Sequence, residues 1–339
     1  MHFGSRYVLP FTSTGALLVV SLAAAPAVAW AQGIDARCPG GSIVEQTTQD
    51  ACQKAVDIFA FMTPQLGIGL VGGNATLGAT SALGGIGHFS IGVRGNATRG
   101  RVPEVSDVSY AVTGAEQSDF GVQDQVVGLP AVDAAVGLFG GLPLGLTRTL
   151  ALDGLVSATY VPAFNNTNMA VSLPDGSLKL GYGARLGVLT ESAVIPAVSI
   201  TYLKRDLPTT SISASSGDDD ISVSNIGVKT SAWRAVAGKS LGFFGLALGA
   251  GQDMYDNHAT ASVRVNDAGG VVDGGPYELS QKMTRTNMFA DFSFNFPFVK
   301  FAAEIGRVSG GKIDTYNTFS GKRADDALTY AAVGFRIAN

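Results

Sequence analysis

The sequence predicts an all-β fold, a transmembrane antiparallel up-and-down β-barrel of about twelve strands behind a short N-terminal helical segment. Three observations predict it. Apolar and polar residues alternate with period two through most of the chain. Short and long connections alternate between those stretches, and the chain opens on an export signal.

Composition narrows the class first. The chain has 339 residues, only 15% of them charged, with 44 glycines. A soluble domain carries roughly a quarter charged residues and about 7% Gly, so this chain is poor in charge and rich in Gly. A net charge of −4 and the lack of any basic stripe exclude nucleic acid as a partner.

Residues 1–31 read as a signal peptide. Arg6 precedes the apolar run Leu17–Ala25, and Ala29-Trp30-Ala31 forms a small-residue cleavage box, which places the mature start at Gln32. In an exported chain the pair Cys38 and Cys52 is expected to be a disulfide, closing a loop worth about 3 kcal/mol in the chain-entropy model.

Residues 32–64 form a periplasmic helical segment that acts as plug, lid or packed extension. Thr47-x-x-Asp50 offers a capping box, and Ala51, Ala55, Ile58 and Met62 follow at helical spacing. Pro64 marks the expected stop.

Residues 65–339 make the barrel. Strands are expected near 66–74, 85–96, 104–113, 130–139, 146–161, 177–189, 194–205, 223–238, 242–254, 279–294, 298–309 and 326–338, with ten or fourteen as the bracketing counts. Tight connections fall at 140–145, 189–192, 238–242 and 295–298, and long polar ones at 164–177, 206–222, 256–276 and 310–325. Outer-membrane barrels sort their loops this way, with short periplasmic turns and long external loops; a soluble sandwich does not. An even strand count puts both ends on the periplasmic side.

Strand faces follow from the alternation. In "MFADFSFNF", Met288, Ala290, Phe292, Phe294 and Phe296 alternate with Asp291, Ser293 and Asn295. The bulky apolar set is expected to meet lipid, where no water solvates polar groups. The opposite face would line the lumen with Asp133, Asp153, Lys179, Arg185, Asp291, Lys300, Glu304 and Arg336. The stretch 223–238 is irregular, because Ile226 and Val228 share a parity with Arg234, which suggests a bulge. Tyr160, Tyr202, Tyr255, Phe296, Phe298 and Tyr330 lie near expected strand ends, as interfacial girdles do.

Catalytic signals are weak, and no enzyme is expected. His88 and Ser90 share a strand parity, but chance produces such pairs readily. "GRVSGGKI" carries Ile313 where a phosphate loop needs Ser or Thr, and "WRAVAGKS" carries Trp233 in place of its first Gly. The acidic run Asp218–Asp220 lacks the spaced ligands of a calcium loop, so neither a metal nor any other cofactor is expected.

The terminal strand "LTYAAVGFRIAN", the sorted loops and the signal together resemble those of bacterial outer-membrane β-barrels. The run "PQLGIGLVGGNATLGATSALGGIGHFSIGV" and the hairpin "VGLFGGLPLGLTRTLALDGLVSATYVP" are similar to a group of uncharacterised barrels of that kind. A looser likeness is to long-chain fatty-acid transporter barrels, whose N-terminal segment plugs the lumen. The chain departs from them in lacking an Asn-Pro-Ala hatch motif and in ending on Asn339 rather than an aromatic residue. The resemblance implies residence in the outer membrane of a Gram-negative bacterium. The expected partners are outer-membrane lipid and lipopolysaccharide, the barrel-assembly machinery and an unidentified small solute. Two functions are expected: passive transport of small or hydrophobic solutes through a partly plugged lumen, or a structural or adhesive barrel whose long loops bind an external partner.

Overall fold

A computed structural model describes residues 33–105, 109–161, 164–166, 169–173, 176–216, 219–267 and 269–339. The expected signal peptide lies outside them.

Ten strands form the barrel: β1 (Phe89–Pro103), β2 (Val122–Phe139), β3 (Ala151–Tyr160), β4 (Leu178–Leu189), β5 (Ala197–Asp206), β6 (Asp219–Leu241), β7 (Phe244–Asp267), β8 (Gly270–Asn295), β9 (Val299–Ser309) and β10 (Leu328–Ala338). Each pairs antiparallel with its sequence neighbours, and β10 pairs with β1 (Ala331 opposite Ala97), so the sheet closes without an edge. Short strands at Leu142–Leu144, Thr147–Thr149, Phe164–Asn166, Met169–Ser172 and Thr210–Ser216 decorate the connections.

The count of about twelve is corrected to ten. Residues 66–71 are the last turns of a helix, and residues 104–105 and 109–113 run outside any strand. Both chain ends of the barrel do lie with the short turns: Phe89 N–H donates to Asn339, and Ala338 N–H to the carbonyl of Phe298.

Alternation in sequence becomes alternation of faces. On β7 the residues Phe244, Leu246 and Leu248 point outward, with Phe292 and Phe294 of β8 beside them. Phe244 meets Phe294 at 5.2 Å, Phe292 meets Phe294 at 4.8 Å, and Phe301 meets Phe335 at 5.2 Å. Val93, Val132, Val156, Leu180 and Ile200 continue the exposed apolar belt round the other side. Tyr160, Tyr202, Phe296 and Phe298 are exposed at its borders. Tyr255 and Tyr330 are not part of that girdle; both are buried inside the barrel.

Wall height is unequal. A strand crosses a bilayer in about 9–11 residues, whereas β6, β7 and β8 have 23, 24 and 26. The stretches 219–222 and 256–267, expected as loops, are therefore strand, rising as a three-stranded wall beyond the belt. The outward residues of the upper wall are polar (Ser262, Arg264), while Ala259, Ala261, Val263, Val265, Ile221, Val223, Ile226, Val228 and Leu279 turn inward as a core. This resolves the irregular parity of Ile226 and Val228: their inward face packs on a helix, not on water. The β6–β7 register shifts between Ser224 and Gly227, which is the expected bulge.

Candidate functional site: a lumen filled by the N-terminal segment

The helix is α1, Ile43–Val71. It starts earlier and ends later than its sequence signals suggest. The capping box is Ser42 with Glu45 rather than Thr47 with Asp50, Ser42 accepting from the Glu45 N–H while the Glu45 carboxylate accepts from the Ser42 N–H. Pro64 sits within the helix instead of ending it. Twenty of its residues are buried, and it packs against β6, β7 and β8 as well as β1, β2, β5 and β10. Contacts with seven of the ten strands place the helix in the lumen.

Its upper half joins the tall wall. Ala51, Ala55, Val56 and Phe59 pack into the inward face of β6–β8, and the Cys38–Cys52 disulfide belongs to the same core. On the opposite side two connections close over the helix. Phe319 of the 310–327 connection stacks on Phe61 at 4.1 Å and on Phe120 of the 104–121 connection at 5.2 Å. Asp57 accepts from Asn317 N–H at 2.8 Å and from its side chain at 2.7 Å, and Asp50 accepts from Ala111 N–H at 2.8 Å and Glu116 N–H at 2.9 Å. Burial nevertheless pushes the Asp57 carboxyl above its usual range.

The lower half is held by charge. A helix ends on carbonyls without intrahelical partners and on the negative end of its dipole, which cations satisfy. Here the cations come from the barrel wall. Arg94 Nη1 donates to the carbonyl of Gly72 at 2.7 Å, Arg234 donates to that of Val71, and Arg205 to that of Leu70 at 3.4 Å. Asn96 donates to the carbonyls of Ile68 at 3.1 Å and Gly69 at 2.7 Å. Acidic partners on the wall compensate the arginines. Asp133 accepts from Arg94 Nε at 2.8 Å and lies 3.6 Å from Arg205, and Asp253 lies 3.6 Å from Arg234.

Below the helix the chain runs on through the lumen, and the wall grips it at successive levels. Glu304 accepts from Asn74 N–H at 3.0 Å, Arg336 donates to the carbonyl of Ala75, and Lys300 to that of Gly78 at 2.9 Å. Arg185 is ion-paired with Asp153 at 2.8 Å, and Asp153 accepts from Leu83 N–H at 3.2 Å. At the short-turn end the backbone of Gly85 passes so close that a Cβ on Gly137 would lie 2.2 Å from the Gly85 carbonyl oxygen.

Of the residues expected in the lumen, Asp133, Asp153, Arg185, Asp291, Glu304 and Arg336 are buried on the inner face, and Lys300 is half-buried there. Lys179, also half-buried, has no such contact to the plug among the described residues. Sequence reasoning passed over Arg94, Arg205, Arg234, Asn96 and Asp253. A signal for Arg94 was present: it shares its parity with Gly92 and Asn96, opposite Ile91 and Val93. His88 is exposed just before β1, whereas Ser90 is buried within it.

Beside the plug a cavity of about 10 Å³ lies among Val71, Asn74, Thr201, Arg205 and Arg234, room for about one water.

A closed antiparallel barrel with an apolar outer belt and a polar, charged interior is a transmembrane β-barrel of the bacterial outer-membrane type. Neither a family model nor a curated protein matches the chain by sequence. Solved structures that resemble it include the translocator domain of the autotransporter NalP from Neisseria meningitidis, at 10% identity and a TM-score of 0.39, covering 74% of this chain and 86% of that one. The outer-membrane protease OmpT from Escherichia coli aligns at 9% identity and 0.38, over 74% of this chain and 95% of that one. The Pseudomonas putida toluene transporter TodX aligns at 9% and 0.29, over 78% and 96%. The class rests on strand closure and the belt, not on these partial overlaps.

Proposed function

We propose that the protein is a closed outer-membrane barrel whose head, built from the tall wall, the upper half of α1 and the connections at 104–121 and 310–327, binds an external partner. In this reading the long-loop end faces outward and the barrel is the anchor, with no catalytic step assigned. The observation that carries it is the filled lumen. The segment 43–85 is hydrogen-bonded to the wall at level after level, and Arg94, Arg205 and Arg234 close round the helix end.

A second reading, passage of small solutes after the plug is displaced, is favoured by the charged inner wall. Asp133, Asp153, Arg185, Glu304 and Arg336 would line such a path. Planar-bilayer recording of the refolded protein separates the two. The closed-barrel reading expects no stepwise conductance from inserted full-length chain. Regular steps from that chain would overturn it in favour of transport.

A further inference from the structure

The direction in which α1 is threaded carries an inference of its own. Its first turns lie at the long-loop end: Thr48 packs on Gly274 and reaches the Tyr277 hydroxyl at 3.4 Å, both near the top of β8. Its last turn lies deep in the barrel at Arg94, and the chain then descends past Lys300 and Asp153 to enter β1 at the short-turn end. At about 1.5 Å per residue, 29 residues span about 43 Å, so the first turns stand at the level of the tall wall while the last turn lies within the belt, level with Val93. Were the N-terminal segment a periplasmic extension, the helix would enter from the short turns and run upward. It runs the other way.

We infer that the barrel displays its own N-terminus: the disulfide-closed segment Gly33–Cys52 stands on the face that carries the long loops, and the lumen holds the connection leading back to β1. This rests on the reading above that the long-loop end is external. It adds a function to that reading, because the chain carries a covalently closed terminus across the membrane as part of its own fold. The displayed segment is self-contained. Cys38 and Cys52 are buried, Arg37 is paired with Asp35 at 2.7 Å, and Gln49 donates to the carbonyl of Cys38 at 3.0 Å. Gly33 is exposed, with no other residue within 4 Å of a Cβ placed on it.

Cysteine accessibility tests this in the full-length chain, whose only two native cysteines are paired. Gly33→Cys, Gly269→Cys at the tip of the β7–β8 wall and Phe243→Cys in the β6–β7 turn are each expressed in a Gram-negative host. Intact cells are then treated with a membrane-impermeant maleimide. The inference expects Gly33→Cys and Gly269→Cys to label to a similar extent, with Phe243→Cys labelling only after permeabilisation. If Gly269→Cys labels on intact cells while Gly33→Cys waits for permeabilisation, the threading is wrong and the inference falls, with the barrel's orientation intact. If Phe243→Cys labels on intact cells and Gly269→Cys does not, the barrel faces the other way, and the outward-head reading falls together with the inference.

Discussion

Arg94 and Gly72 join wall to plug: the guanidinium donates one hydrogen bond to the Gly72 carbonyl at 2.7 Å and another to Asp133 at 2.8 Å, with both side chains of that ion pair buried. The helix end is thereby tied to β1, the strand that follows it in sequence. Removing one partner of a buried ion pair strands the other. Arg94→Met is therefore expected to destabilise the folded barrel by about 3–5 kcal/mol, read from urea unfolding in detergent. The double variant Arg94→Met/Asp133→Leu should recover only a minor part of that loss, because Arg205, 3.6 Å from Asp133, then loses its own carboxylate.

Gly67 of α1 lies against the ring of Tyr255, where a Cβ would come within 2.3 Å of ring carbon. Alanine is the better helix former by about 1 kcal/mol, but overpacking a buried contact costs about 1–3 kcal/mol. Gly67→Ala is expected to lower the unfolding midpoint. In a Tyr255→Ala background the same change should become neutral or stabilising.

Tyr110, packed at the edge of the upper core with Lys54 Nζ 5.5 Å from its ring centre, has its phenol pushed up to about 12, chiefly by burial. The sign follows directly. A folded-state value above the unfolded one near 10 means the neutral phenol is the favoured form in the fold. Its contribution is complete below pH 10 and is lost as pH rises toward 12. Tyr110→Phe should flatten the stability profile across that window, and the difference in 295 nm absorbance between wild type and variant should titrate near the raised value.

Reducing Cys38–Cys52 opens a loop of sequence separation 14 at the head, far from the arginines that hold the other end of α1. The double variant Cys38→Ser/Cys52→Ser is expected to lose about 3 kcal/mol locally. Limited proteolysis checks it: new cleavage within 33–50, with β1–β10 still protected.

The lipid-facing belt was legible because a bilayer imposes a strict period of two, and stretches such as 288–296 obey it. The helix end was not. Pro64, Gly67 and Gly69 argue against helix by intrinsic propensity, yet the lumen satisfies the carbonyls of Ile68 to Gly72 with Asn96 and three arginines, and the narrow space beside Tyr255 favours glycine at Gly67. Tertiary surroundings supplied what local sequence withheld. The upper wall failed for a different reason. Loops were recognised by polarity, but Ala259, Ala261, Val263 and Val265 alternate with polar residues just as a strand above the membrane must. The arginine clamp was visible only as isolated charges, since its members come from β1, β5 and β6 and meet at one height through strand register.

The tall wall also has a mechanical meaning. β6, β7 and β8 each run as one strand from the lipid belt into the head, with register shifts at Ser224/Gly227 and Ala261/Val263, and β7 alone shares 23 residue pairs with β8. A pull on the tip along the strand axis loads those hydrogen bonds in parallel shear instead of peeling them apart one by one. The buried carboxylates and guanidiniums around α1 brace the same ribbon from inside. A load applied at the wall tip would thus be resisted by the rupture force of a whole ladder and passed straight to the barrel wall.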